Sequence, residues 1–178
     1  MPQRPAVPPD ATVRGGVILS VLAAMGPFRR RGEQALADHG IGEVDVERWY
    51  PLASYLGALE AIRERMGPNT LFQVGRQIPN HIALPPGLDS FAGVLGAFGA
   101  VYESSHRGVP GGAVAHEVLS DRSGRITSAT PYPCDLDRGV IVGLFQHLLG
   151  VRVNVEDDGE CGKASGGCCT YAVRLPLE

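Results

Sequence analysis

The chain has no apolar run long enough to cross a membrane as a helix. The longest, Gly16 to Met25, is about half of the roughly 20 residues such a span requires. Charge is sparse: 16 basic against 19 acidic residues leave a net charge of −3 with histidine neutral. No basic stripe is present, so a nucleic-acid partner is not expected. The one dense basic run, Arg29-Arg30-Arg31, is short and reads as the solvated start of a helix. No Gly-x-x-x-x-Gly-Lys loop cradles phosphates, and no dinucleotide fingerprint follows a strand. A Gly-x-Ser-x-Gly turn is also missing, which removes the best-known serine nucleophile setting. The first ten residues are rich in proline and lack the apolar core of a secretory leader, so a cytoplasmic location is expected. No repeat period emerges.

What is present fits one domain. With 178 residues and 44% apolar side chains, the chain can bury roughly two thirds of its unfolded surface in a single core. Residues 1–12 read as a flexible proline-rich tail and residues 13–178 as the domain. The run from Val17 to Met25 suits a buried helix or a buried strand, which periodicity does not separate. A short amphipathic helix is expected over Arg30–His39, closed by Gly40. Trp49-Tyr50-Pro51 leads into the clearest helix, where Leu52, Tyr55, Leu56, Leu59, Ile62 and Met66 share one face. A further helix runs from Asn69 to about Ile78. Beyond a loop framed by Pro79, Pro85 and Pro86, another carries Leu88, Phe91, Leu95, Phe98 and Tyr102. Its interior glycines, Gly93, Gly96 and Gly99, each cost helix stability, which implies either close packing or room for a ligand.

After Gly111-Gly112 the period changes to two. Ala113–Leu119 and Arg125–Thr130 read as an antiparallel hairpin, followed by a helix over Cys134–Leu149 and strands at Val151–Val155 and Cys169–Arg174. The order predicts an α+β fold: N-terminal helices packed on an antiparallel sheet, with a ββαββ C-terminal half.

All four cysteines, Cys134, Cys161, Cys168 and Cys169, fall in this last part. In a reducing compartment clustered thiols point to a soft metal or to redox chemistry before structural disulfides. Cys134, at a helix start, is also a candidate reactive thiolate, although Asp135 and Asp137 beside it oppose that activation. Asp137 and Arg138 read as helix-end or surface pairs. An apolar pocket is expected between the helix bearing Phe91, Leu95, Phe98 and Tyr102 and the strand bearing His116, with Tyr102, His116 and Tyr132 as polar anchors. His106 and His116 flank that pocket, and either suits a phenol-like hydroxyl or a haem iron.

Trp49-Tyr50-Pro51 before one helix, Tyr132-Pro133-Cys134-Asp135-Leu136-Asp137-Arg138-Gly139 opening another, and a terminal Cys-x7-Cys-x-Tyr resemble the V4R (4-vinyl reductase) domains. These belong with the haem–nitric-oxide-binding-like proteins and the Bet3-like subunits of vesicle-tethering complexes. The resemblance spans about residues 13–175, most specifically the final 45 or so. It implies an α+β fold that often dimerises and encloses an apolar cavity, and a zinc ion held by three cysteines and an acid. On this chain it places the ligands at Cys134, Asp158, Cys161 and Cys169. The glycine expected between the paired cysteines is displaced, with Ser165 in its place and Gly166 next to it, and Cys168 is an additional thiol. The proximal-histidine and Tyr-x-Ser-x-Arg pattern of the gas-sensing haem domains is absent.

Together these features predict a sensor or regulatory module. It would hold a small apolar, aromatic or tetrapyrrole-like ligand, form a homodimer and signal through a separate output protein. A structural zinc ion would brace its tail. Two other classes compete: a haem- or metal-dependent redox enzyme of reductase type, and an interaction subunit whose cavity stores a lipid chain.

Overall fold

The structure, a computed structural model, describes residues 7–164 and 167–176. Ser165 and Gly166 lie outside these residues, as do the first six of the proline-rich tail. The chain is already built into the fold at Ala11, which is buried and whose carbonyl accepts from the Leu52 amide.

Two small structural layers organise the N-terminal half. Strand β1 (Thr12–Arg14) lies between β2 (Trp49–Pro51) and β3 (His106–Arg107), antiparallel to both, with Val13 opposite Tyr50 on one side and His106 on the other. Around this ribbon pack α1 (Gly15–Ala24), α2 (Arg29–Asp38), α3 (Leu52–Met66) and α4 (Pro68–Gln77). The ambiguous Val17–Met25 run is therefore helix. Ile18, Val21 and Leu22 of α1 meet Tyr55, Leu59 and Ile62 of α3 in one apolar cluster.

The second half holds α5 (Phe91–Ser105), the hairpin of β4 (Val114–Ser120) and β5 (Ser123–Ser128), α6 (Cys134–Leu149), β6 (Asn154–Asp157) and β7 (Cys169–Arg174). The four strands form an antiparallel sheet ordered β4-β5-β7-β6. Helices α5 and α6 cover it, so that Phe91, Leu95, Phe98, Leu144 and Phe145 meet Ile126, Tyr171 and Val173 in a second cluster. The side-chain oxygen of Ser90 caps α5 by accepting from the Gly93 amide, and Gly150, at φ 68°, ends α6 in the left-handed region. The α+β reading is correct.

The two clusters meet where α4 crosses α6. A side-chain carbon on Gly139 would lie 2.2 Å from the Phe72 carbonyl oxygen, and one on Gly143 would lie 2.5 Å from that of Arg76. From the other side, a side-chain carbon on Gly75 would lie 2.5 Å from the Leu136 carbonyl oxygen. These glycines let the two backbones touch. In α5, Gly96 has a milder version of the same cause, since a side-chain carbon there would lie 3.1 Å from the His116 ring, whereas at Gly99 it would make only an ordinary 3.4 Å contact with Val114.

No helix among the described residues is long and apolar enough to cross a membrane.

Candidate functional site: a cavity and a thiol cluster on one helix

A cavity of about 70 Å³ lies where the two clusters join, walled by Val17 of α1, Tyr55 of α3, Ile78, Phe98 and Tyr102 of α5, and Leu136 and Val140 of α6. Its surface is almost wholly apolar, and the lining residues with polar side-chain atoms are Tyr55, Tyr102, Ser105, His106, Tyr132 and Asp137. Of the pocket residues read from the sequence, Phe98, Tyr102 and Tyr132 line this cavity. Phe91 and Leu95 are packed into the sheet cluster instead, and His116 is exposed on β4 with its ring over Gly96. None of these last three lines the cavity.

His106 reaches the cavity because α5 ends one residue before it, and β3 then ties it to Val13. The Tyr102 carbonyl, left free in the last helical turn, meets His106 Nδ1 at 2.7 Å. A carbonyl only accepts, so Nδ1 carries the proton and Nε2 keeps its lone pair. That lone pair accepts from the Tyr132 hydroxyl at 2.6 Å. Burial lowers the His106 pKa below 6.5, partly opposed by the Tyr102 carbonyl, and so favours the neutral ring. The Tyr102 ring stacks on the imidazole at 4.3 Å between centroids. Tyr55 stands edge-on to Tyr132 at 6.1 Å, and its buried hydroxyl has no hydrogen-bond partner. Desolvation raises the pKa of all three phenols, that of Tyr102 to about 12.

A pH dependence follows from this ring. The unfolded state takes up a proton near pH 6.5 that folded His106 refuses, so stability rises with pH through that window. Acidifying from about pH 7.5 to 5.5 should lower the urea midpoint. His106→Gln should flatten the profile, and an unchanged slope would show that His106 does not carry it.

Beside the cavity, Asp137 is 3% exposed and accepts from Ser128 Oγ at 2.8 Å and Thr130 Oγ1 at 3.1 Å. It is also paired with Lys163, itself 4% exposed and the only lysine of the chain. Lys163 Nζ further donates to Thr130 Oγ1 at 3.1 Å and to the Tyr132 carbonyl at 3.3 Å. Asp137 does lie in the first turn of α6, but it is not a surface group: the pair is buried and hydrogen-bonded. Arg138 does make surface pairs, with Asp135 at 3.0 Å and Asp157 at 3.4 Å. The place of Lys163 between two cysteines marks that lysine in the sequence, but nothing there names Asp137 as its partner. Tyr55 carried no signal apart from its place on a helix face.

One turn back along α6, three sulfurs converge within 4.8 Å of one another. Cys134 opens the helix, Cys169 opens β7 opposite Ser128, and Cys161 comes from the β6–β7 loop. Cys161 and Cys169 are joined as a disulfide, and Cys134 Sγ lies 3.3 Å and 3.4 Å from their sulfurs. Asp158 is not part of this group. It accepts from Arg125 at 2.7 Å, while Cys168 is exposed. The Tyr171 hydroxyl is buried beside Cys134, and burial first, then the charge of Asp137, pushes its pKa up.

No protein-family model and no curated protein matches the chain. Solved structures do. An H-NOX protein from S. oneidensis in its Fe(II)NO ligation state superposes with a TM-score of 0.69 at 16% identity, covering 91% of this chain and 99% of that one. An oxygen-binding H-NOX domain related to soluble guanylate cyclases gives 0.65 at 13% identity, over 92% and 95%. A T. Tengcongensis H-NOX mutant gives 0.64 at 12% identity, over 92% and 98%. At such identities the likeness speaks for architecture alone, and the chain has the haem–nitric-oxide-binding-like fold.

Proposed function

We propose that the chain is a small-molecule-binding regulatory module of this fold, related to the V4R domains. The ligand would sit in the cavity at His106 and Tyr132, and the thiol cluster would brace the structure. The carrying observation is the cavity itself: apolar walls with a few convergent polar groups, at the seam between two cores. Ligand there touches α1, α3, α5 and α6 at once, which gives binding a route to the rest of the molecule. Signalling would pass through a homodimer or a separate output protein.

With Cys161 and Cys169 reduced, the residues fit a zinc ion. Three thiolates bound at about 2.3 Å in a tetrahedron stand about 3.8 Å apart, near the 3.3 Å and 3.4 Å from Cys134 Sγ to the other two sulfurs, which would themselves move apart on reduction. The buried Tyr171 hydroxyl beside Cys134 would donate to its sulfur. Cys134, Cys161 and Cys169 would hold the ion, leaving the fourth position to water or Cys168. Its role would be structural.

The second reading is a haem-bearing sensor or redox protein. The fold supports it, and so does His106, whose neutral ring with Nδ1 anchored on a carbonyl is the form that ligates iron. The space does not support it. A volume of about 70 Å³ compares with about 300–1,000 Å³ for pockets that hold drug-sized ligands. The one lysine nearby is committed to Asp137. A tetrapyrrole does not fit the interior as folded.

Calorimetric titration with toluene and, separately, haemin separates the two. Saturable toluene binding that Val140→Phe weakens at least tenfold, with no Soret shift on adding haemin, is expected. A stoichiometric Soret band lost in His106→Ala would replace the first reading with the second. Neither response would remove the cavity as a ligand site.

A further inference from the structure

We propose that the Cys161–Cys169 pair is a thiol-responsive redox site that latches Lys163 into the cavity wall. The coupling to ligand rests on the cavity reading above; the latch does not.

The β6–β7 loop folds back on itself. Gly162 N donates to the Cys168 carbonyl at 3.0 Å and Gly167 N to the Gly162 carbonyl at 2.8 Å. The disulfide closes the same loop at its base, across a separation of eight residues. Lys163 lies two residues beyond Cys161 and projects from a short 3-10 turn to Asp137. A buried ion pair is close to break-even against the solvation its two charges give up. The cross-link therefore decides the balance, because it removes the freedom the loop would gain by lifting the ammonium back into water. Lifting also hydrates Asp137 and withdraws the donor from the Tyr132 carbonyl, next to the side chain that fixes His106.

Cys161 is exposed whereas Cys169 is buried, so the attacked sulfur is that of Cys161. A small thiol, as thiolate, bonds to Cys161 Sγ while the Cys161–Cys169 bond breaks and Cys169 leaves as a thiolate that takes a proton. A second thiolate then bonds to the small-molecule sulfur of this mixed disulfide, and Cys161 leaves as a thiolate that takes a proton. The small-molecule disulfide departs, and both cysteines are left as thiols. The reverse exchange with a small disulfide closes the latch again.

Lys163 being the only lysine makes it its own reporter. The folded protein, in chelator, is treated with dithiothreitol, desalted anaerobically and exposed at fixed pH to an amine-acetylating reagent. Peptide mass spectrometry follows acetylation of Lys163, and a thiol count confirms four free thiols in place of two. Reduction is expected to raise the Lys163 acetylation rate at least tenfold, and Cys161→Ser, a change at an exposed position, to show the fast rate without reductant. Equal slow rates in the oxidised, reduced and Cys161→Ser proteins would overturn the latch. Toluene titration of the same samples reads the coupling, with at least threefold weaker binding expected after reduction. Equal affinity in both states overturns the coupling alone. Absence of toluene binding in both overturns the ligand reading, and the acetylation rates still decide the latch.

Discussion

Lys163→Ala is expected to cost about 3–5 kcal/mol of folding stability, the range for breaking a buried ion pair by removing one partner. The cost comes from what remains. Asp137 stays 3% exposed and keeps the Ser128 and Thr130 hydroxyls, but the charge it was built around is gone. The Tyr132 carbonyl loses a donor as well. Opening the loop in the intact protein differs, because both charges then regain water. Urea unfolding of Lys163→Ala, Asp137→Leu and the double variant Lys163→Met with Asp137→Leu checks the assignment. Replacing both partners by apolar groups should recover most of the loss. If the double variant is no better than the singles, the loss arises elsewhere in the loop.

Gly139→Ala is expected to destabilise by about 2–3 kcal/mol, although alanine is the better helix former by about 1 kcal/mol. The new carbon would stand 2.2 Å from a backbone oxygen of α4, so no rotamer relieves it and the helices must part. Parting them opens the seam that carries the cavity. Gly99→Ala is the control within the same fold. Its new carbon would meet Val114 at 3.4 Å, an ordinary contact, so the change should be neutral or stabilising by up to about 1 kcal/mol. Thermal unfolding of the two variants should therefore move in different directions, and a shared loss would mean that helix spacing is not what sets the first.

Much of this architecture was legible because its elements are long or periodic. Helix α6 begins at Cys134 and ends at Leu149, as its apolar spacing and Gly150 indicate, and β7 runs over the expected Cys169–Arg174. The β1–β3 ribbon was not legible, since strands of two or three residues carry no period and are set by tertiary pairing. That omission hid the placement of His106, which depends on pairing with Val13. The thiols were legible as a cluster from their spacing. Asp158 was assigned with them by resemblance, and Arg125 across the sheet takes its carboxylate instead. The four α5 residues read as pocket lining share one helix face, but Phe91 and Leu95 lie in the sheet cluster while Phe98 and Tyr102, further along the same face, line the cavity at the seam. The Lys163–Asp137 pair joins positions 26 residues apart, and no local pattern announces such a contact.

Helix α6 meets every part of this arrangement. Cys134 faces the thiols, Leu136, Asp137 and Val140 the cavity, Gly139 and Gly143 the backbone of α4, and Leu144 and Phe145 the sheet. Only Gln146 and His147 of its sixteen residues are exposed. A helix with so little solvent face has almost no room for neutral drift, so new ligand preferences on this scaffold would have to arise from α1, α3 and α5, leaving α6 as the fixed side against which they are cut.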